Sequence, residues 1–194
     1  MDASFSSKEL EIVRHALELL VEAGDAGLTM RQLAARADMR LSNVQYYFKS
    51  REDILKAMVS VYFQQCIDDV TSLTRAEQNI SQRERLHYIL REGLKHGQQI
   101  SDLCRTFREL WAISSRNPEV HECLVAYYRS FGSKLIGFAV GDTVSRSTHD
   151  RLVTLIVPYI EGYSITASAL PCDVKETTDL ITDIAMAIIG NEEK

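Results

Sequence analysis

"LTMRQLAARADMRLSNVQYYFKSREDILKAM", residues 28–58, contains two short apolar-periodic segments, a break between them, and the start of a third. Thr29 with Gln32 three residues on is a helix-start signal, and Leu28 and Leu33 flank it as an apolar staple. Periodicity lapses in "ARADMRLS" after Ala37 and resumes at "NVQYYF". Two short helices separated by about four residues, the second rich in hydrogen-bonding groups, read as a helix-turn-helix. Val44 and Phe48 are four apart and fall on one side of the second helix, so they are assigned to its core. Ser50 with Asp53 then starts a longer helix whose Ile54, Leu55, Met58, Val61, Tyr62, Cys66 and Val70 form an apolar face.

Upstream, Ser6 and Glu9 form a capping box between Phe5 and Leu10, opening a first helix with Val13, Ala16, Leu17 and Leu20 inward and an end near Gly24. Helical spacing persists almost throughout the 194 residues, strand-like alternation is missing, and the three prolines are few, so the fold class is all-α. An apolar fraction of 45% is ample for a core. The net charge of −5 argues against a protein that coats nucleic acid or membrane along its whole length. Between residues 29 and 56, however, Arg31, Arg36, Arg40, Lys49, Arg51 and Lys56 outnumber Asp38, Glu52 and Asp53. Phosphates are bound by cations and amide donors, and bases by side chains that reach groove edges. Asn43 and Gln45 carry base-reading chemistry, Arg40 can reach guanine, Leu41 offers apolar contact to a thymine methyl, and Tyr47 and Arg51 are placed to brace phosphates. An alternative for this basic run is a solvated helix face, or a patch for an acidic protein partner.

The stretch from Leu28 to Met58 resembles the DNA-binding segment of the tetracycline-repressor-like (TetR) family. Thr29, Ala34, Ala37, Tyr47, Phe48, Ser50, Arg51, Glu52 and Leu55 fall where that family expects their type. Asp38 stands where the turn usually has Gly, Arg40 where a capping Ser is usual, and Gln45 where Tyr is common. The resemblance implies an N-terminal three-helix bundle, residues 1–50, followed by a larger helical effector-binding and dimerisation domain, 51–194, with a helix from about 51 to 73 linking them. It implies a homodimeric repressor that binds a pseudo-palindromic double-stranded operator, with an activator as the alternative. The residues expected at the DNA are Thr29, Arg31, Arg40, Leu41, Ser42, Asn43, Gln45, Tyr46, Tyr47, Lys49 and Arg51.

Downstream, helices are expected near 81–100, 103–116, 118–138, 148–170 and 173–190, with "GFAVGDTVSRS" as the main loop and a kink at Pro158. Asp173 with Glu176 caps the last helix, which carries Leu180, Ile184 and Ile188 on one stripe and Ile181, Ala185 and Ile189 on the next. That face is too wide for one intrachain contact and suits a two-fold dimer. Leu103, Phe107, Trp111, Tyr127, Tyr128 and Phe131 form an aromatic-rich middle region, ordinarily core, which the family resemblance makes a candidate pocket for an unidentified small-molecule effector. No catalytic constellation, metal site or cofactor is expected: the five histidines are scattered, and "HEC" at 121–123 places its ligands on different helix faces. Four cysteines without CxxC spacing and an N-terminus without signal-peptide regions point to the cytoplasm. No apolar run approaches the roughly 20 residues of a membrane span, so none is expected.

Overall fold

A computed structural model describes residues 5–75, 80–99 and 102–191, and the side chains of all of these but 69–75, 102 and 103. The described residues form α1 (Ser7–Gly27), α2 (Met30–Arg36), α3 (Leu41–Tyr47), α4 (Arg51–Arg75), α5 (Gln82–Gln98), α6 (Asp102–Ser114), α7 (Pro118–Val140), α8 (Arg146–Thr166), a single 3-10 turn (Ala167–Ala169) and α9 (Val174–Gly190). They contain no strand.

Two compact units divide the chain, one of residues 1–66 with 105–128, the other of 67–104 with 129–194. In the first, α2 packs against both α1 and α3. Its core is built from Ile12, Val13, Ala16 and Leu20 of α1, Leu33 of α2, Val44 of α3, and Ile54, Leu55 and Met58 of α4, all essentially without solvent exposure. Residues from α6 and α7 extend that core: Leu110, Ile113, Val120 and Leu124 are buried. A Leu side chain buried this completely contributes enough that truncation to Ala costs about 2–5 kcal/mol. Val59 and Phe63 are also buried, so α4 is apolar on more than the single face its spacing suggested. Val61 and Cys66 are half-buried, and the side chain of Val70 lies outside the described residues.

In the second unit α5 packs against α8 and α9, and α8 against α9. Gly97 makes this possible, because a Cβ there would stand 3.0 Å from the Ser164 backbone. Of the two α9 stripes, Ile181 and Ala185 are buried, whereas Leu180 is 52% and Ile184 39% exposed. α7 continues to Val140 and stops where Gly141 takes φ +60°, so "GFAV" is helix and the loop is shorter than its composition suggested. α8 passes through Pro158 as one helix. With the turn after it, this helix is long and apolar enough to cross a membrane by length and composition. Pro158 and Glu161, expected to cut this apolar run, both lie inside the helix, and its Leu152, Ile156, Val157 and Tyr163 are buried within the protein, as in a core helix.

Candidate nucleic-acid interface

Helix α2 starts where Thr29 turns extended: its Oγ1 accepts from Gln32 N (3.2 Å) and donates to Gln32 Oε1 (2.7 Å). It ends at Ala37 in a pair of bonds that reverses the chain, Met39 N to Ala34 O (2.9 Å) and Asp38 N to Ala35 O (3.3 Å). This is the six-to-one, five-to-two pattern of a Schellman stop, which needs a left-handed residue between. Asp38 supplies it, with φ +51°, and is the one described non-glycine residue in that region. Aspartate tolerates this geometry better than most residues, so the turn forms without glycine.

Arg40 then opens α3 without a side-chain cap. On this helix Val44 is fully buried and Phe48, just past its end, nearly so, while Leu41 is half-buried. Val44 and Phe48 share the inward face, and Leu41 stands at its edge. Ser42, Asn43, Gln45 and Tyr46 share the outward one and are all exposed, Tyr46 at 73%. Tyr47 is half-buried with its ring edge-on to Tyr46 at 5.1 Å. Lys49 Nζ lies 5.8 Å from the centre of the Tyr46 ring and donates to Tyr46 O at 3.4 Å. A reciprocal pair, Asp53 N to Ser50 Oγ (3.1 Å) and Ser50 N to Asp53 Oδ2 (3.0 Å), then starts α4.

The six cations counted along this segment separate into two groups. Arg36 is held by α1: two guanidinium nitrogens donate to Glu22 at 2.6 and 2.7 Å, and Nε donates to Glu18 at 3.3 Å. The Arg36 hydrogen bond holds the Glu22 carboxyl below its ordinary range, so this pair is fully ionised near neutrality. Lys56 pairs with Glu119 of α7. Arg51, expected at phosphates, has Nε on Leu28 O (2.8 Å) and one terminal nitrogen on Asp25, through both carboxylate and backbone. Arg31, Arg40 and Lys49 are exposed and have no carboxylate partner among the described residues. The surface that presents uncommitted charge beside hydrogen-bonding side chains is therefore narrower than residue counting gives. It consists of Arg31, Arg40, Ser42, Asn43, Gln45, Tyr46 and Lys49.

The aromatic residues of the middle region are only partly brought together. Phe107 lies 6.1 Å from Tyr128, edge-on, and 6.4 Å from Tyr62, and Tyr127 stacks on Phe63. Tyr62 and Phe63 of α4 belong to this ring cluster, although sequence spacing placed Tyr62 only in a packing stripe and gave Phe63 no role. Trp111 is 59% exposed and makes none of the described ring contacts. Phe131 is half-buried in the other unit, and the side chain of Leu103 lies outside the described residues.

Residues 12–58 match the family model described as bacterial regulatory proteins, tetR family. An uncharacterized HTH-type transcriptional regulator encoded in the dhlA 5' region of Xanthobacter autotrophicus is 41% identical over 181 residues, covering 93% of this chain and 90% of that one. The fold is similar to that of a transcriptional regulator, SCO7518, from Streptomyces coelicolor A3(2) (TM-score 0.73, 18% identity, 95% of this chain and 99% of that one). It is similar also to FadR from Bacillus subtilis, solved with stearoyl-CoA (TM-score 0.66, 15% identity, 93% and 98%). Identity at this level across nine-tenths of both chains in the Xanthobacter relative, together with the matched helix-turn-helix, leaves one assignment: the chain belongs to the TetR family of helix-turn-helix transcriptional regulators.

Proposed function

We propose that this regulator is a cytoplasmic homodimeric repressor that reads a pseudo-palindromic operator with α3 and is released by a small-molecule effector. The observation that carries the DNA reading is the two-sidedness of α3: Val44 is buried, while Ser42, Asn43, Gln45 and Tyr46 are exposed with Arg31, Arg40 and Lys49 as cations lacking a carboxylate partner among the described residues. A helix anchored by one face and polar on the other fits the major groove, where Asn and Gln pair with adenine and Arg with guanine. Leu41, half-buried at the helix start, is assigned to a thymine methyl, and Tyr47 and the Thr29 region to the sugar-phosphate strand.

Two recognition helices need a two-fold, and the exposed Leu180 and Ile184 stripe of α9 supports a dimer formed through α8 and α9. In this reading residues 1–50 read DNA and 51–194 hold the effector and the dimer contact. The effector is assigned to the ring cluster of Tyr62, Phe63, Phe107, Tyr127 and Tyr128, mostly apolar with hydroxyl anchors. The similarly folded FadR was solved with stearoyl-CoA, but at 15% identity that neighbour supports a fold capable of holding a ligand, not a ligand for this chain.

The test is footprinting of the purified protein on the DNA upstream of its own gene. Protection of an inverted repeat with half-sites about one helical turn or a small multiple apart is expected. Absence of protection there, and no enrichment of any inverted repeat from random duplexes, refutes the reading.

A further inference from the structure

Arg51 sits four residues beyond the end of α3, and Leu28 directly precedes the cap of α2. The Arg51 Nε donates to Leu28 O at 2.8 Å, so one guanidinium joins the entry of the helix-turn-helix to its exit. The same guanidinium is gripped by Asp25, which accepts through its backbone carbonyl at 3.2 Å and through its carboxylate. Asp25 is itself set by the break in α1 at Gly24, where φ is +65° and the chain leaves helical geometry for one residue. Its second carboxylate oxygen faces Arg116, which follows α6, at 3.7 Å. Arg51 and Asp25 are each about one-third exposed, so water competes with this pair and charge alone is worth little; geometry is what it supplies.

We propose that Asp25 is a positioning residue for DNA reading, holding Arg51 as a clamp across residues 28–51 so that α2 and α3 meet the operator in a fixed relation. This rests on the reading of α3 as the recognition helix. It assigns Arg51 to the protein rather than to a phosphate, and it places a carboxylate, normally unfavourable beside DNA, among the groups that strengthen binding.

That last consequence makes the test a matter of sign. Removing a negative charge near a polyanion should tighten binding if Asp25 is merely a surface charge. If Asp25 positions the reading helices, Asp25→Asn in the full-length protein weakens operator binding, by about tenfold for a coupling of ordinary size. Arg51→Lys keeps the charge but loses the fork, and is expected to weaken binding similarly. The double variant should be no worse than either single one, because both break the same clamp. Affinities are measured by anisotropy on an inverted repeat bound by the wild type, with the slope of affinity against salt recorded for each variant and thermal unfolding confirming the fold. An unchanged slope with weakened affinity is the expected signature. Asp25→Asn binding as tightly as wild type or tighter, or Arg51→Lys losing nothing, overturns the clamp. A wild type that binds no inverted repeat would instead refute DNA reading itself.

Discussion

Raising salt gives a quantitative reading of which cations touch DNA. Arg31, Arg40 and Lys49 are the three cations of the segment without a carboxylate partner among the described residues; Arg36, Arg51 and Lys56 are held by Glu22 and Glu18, by Asp25, and by Glu119. Three per chain in a dimer neutralise about six phosphates, and at about 0.9 counterions released per phosphate the logarithm of affinity falls with the logarithm of salt at a slope of about −5. From about 50 to 200 mM salt, operator affinity should then drop about two-thousandfold. Had all six cations per chain reached phosphates, the slope would be about −11 and the loss would exceed about a millionfold. Fluorescence anisotropy of a labelled operator over that range separates the two, provided the stoichiometry is fixed by titration above Kd. A slope near −11 would mean that the internal pairs open on DNA and would refute the division made above. A slope near zero would mean that this surface is not the one used.

The turn of the helix-turn-helix offers a stability test: Asp38→Gly should raise stability by about 0.5–1 kcal/mol in urea unfolding, because φ +51° costs a side chain what glycine avoids; a loss would mean that the Asp38 carboxylate stabilises the turn. Ile184→Glu should leave a folded chain that sediments as a monomer and binds operator weakly, since the residue is 39% exposed here and a charge would be buried only in a dimer; an intact dimer would place the interface elsewhere. Trp111, 59% exposed, should emit like a solvated indole and respond little to an effector among the Tyr62, Phe63 and Phe107 rings, so a large quenching on ligand binding would move the pocket towards α6's outer face.

Local signals carried most of the fold. The Ser6, Thr29 and Asp173 caps lie where residue spacing places them, and the helix bounds downstream agree within a few residues, because caps and apolar periodicity are properties of neighbours in sequence. The reciprocal Ser81 and Glu84 box that starts α5 is the same signal. What sequence could not supply is pairing at a distance. Arg36 finds its acids 14 and 18 positions away, and Arg51 finds Asp25 26 away, so a tally of charges by window overcounts the cations offered to DNA. The aromatic region failed for the same reason. Tyr62 and Phe63 join Phe107 and Tyr127 only because α4 passes them, while Trp111, adjacent to Leu110 in sequence, turns outward as its neighbour turns in.

Base reading by the outward face of α3 can be tested by parallel selections from random duplexes with the wild-type protein and with Gln45→Ala. The wild type should enrich an inverted repeat, and Gln45→Ala should enrich the same repeat with one position in each half-site relaxed by about 1–3 kcal/mol of discrimination. Recovery of an identical consensus, with every position as sharply specified as for the wild type, would contradict it.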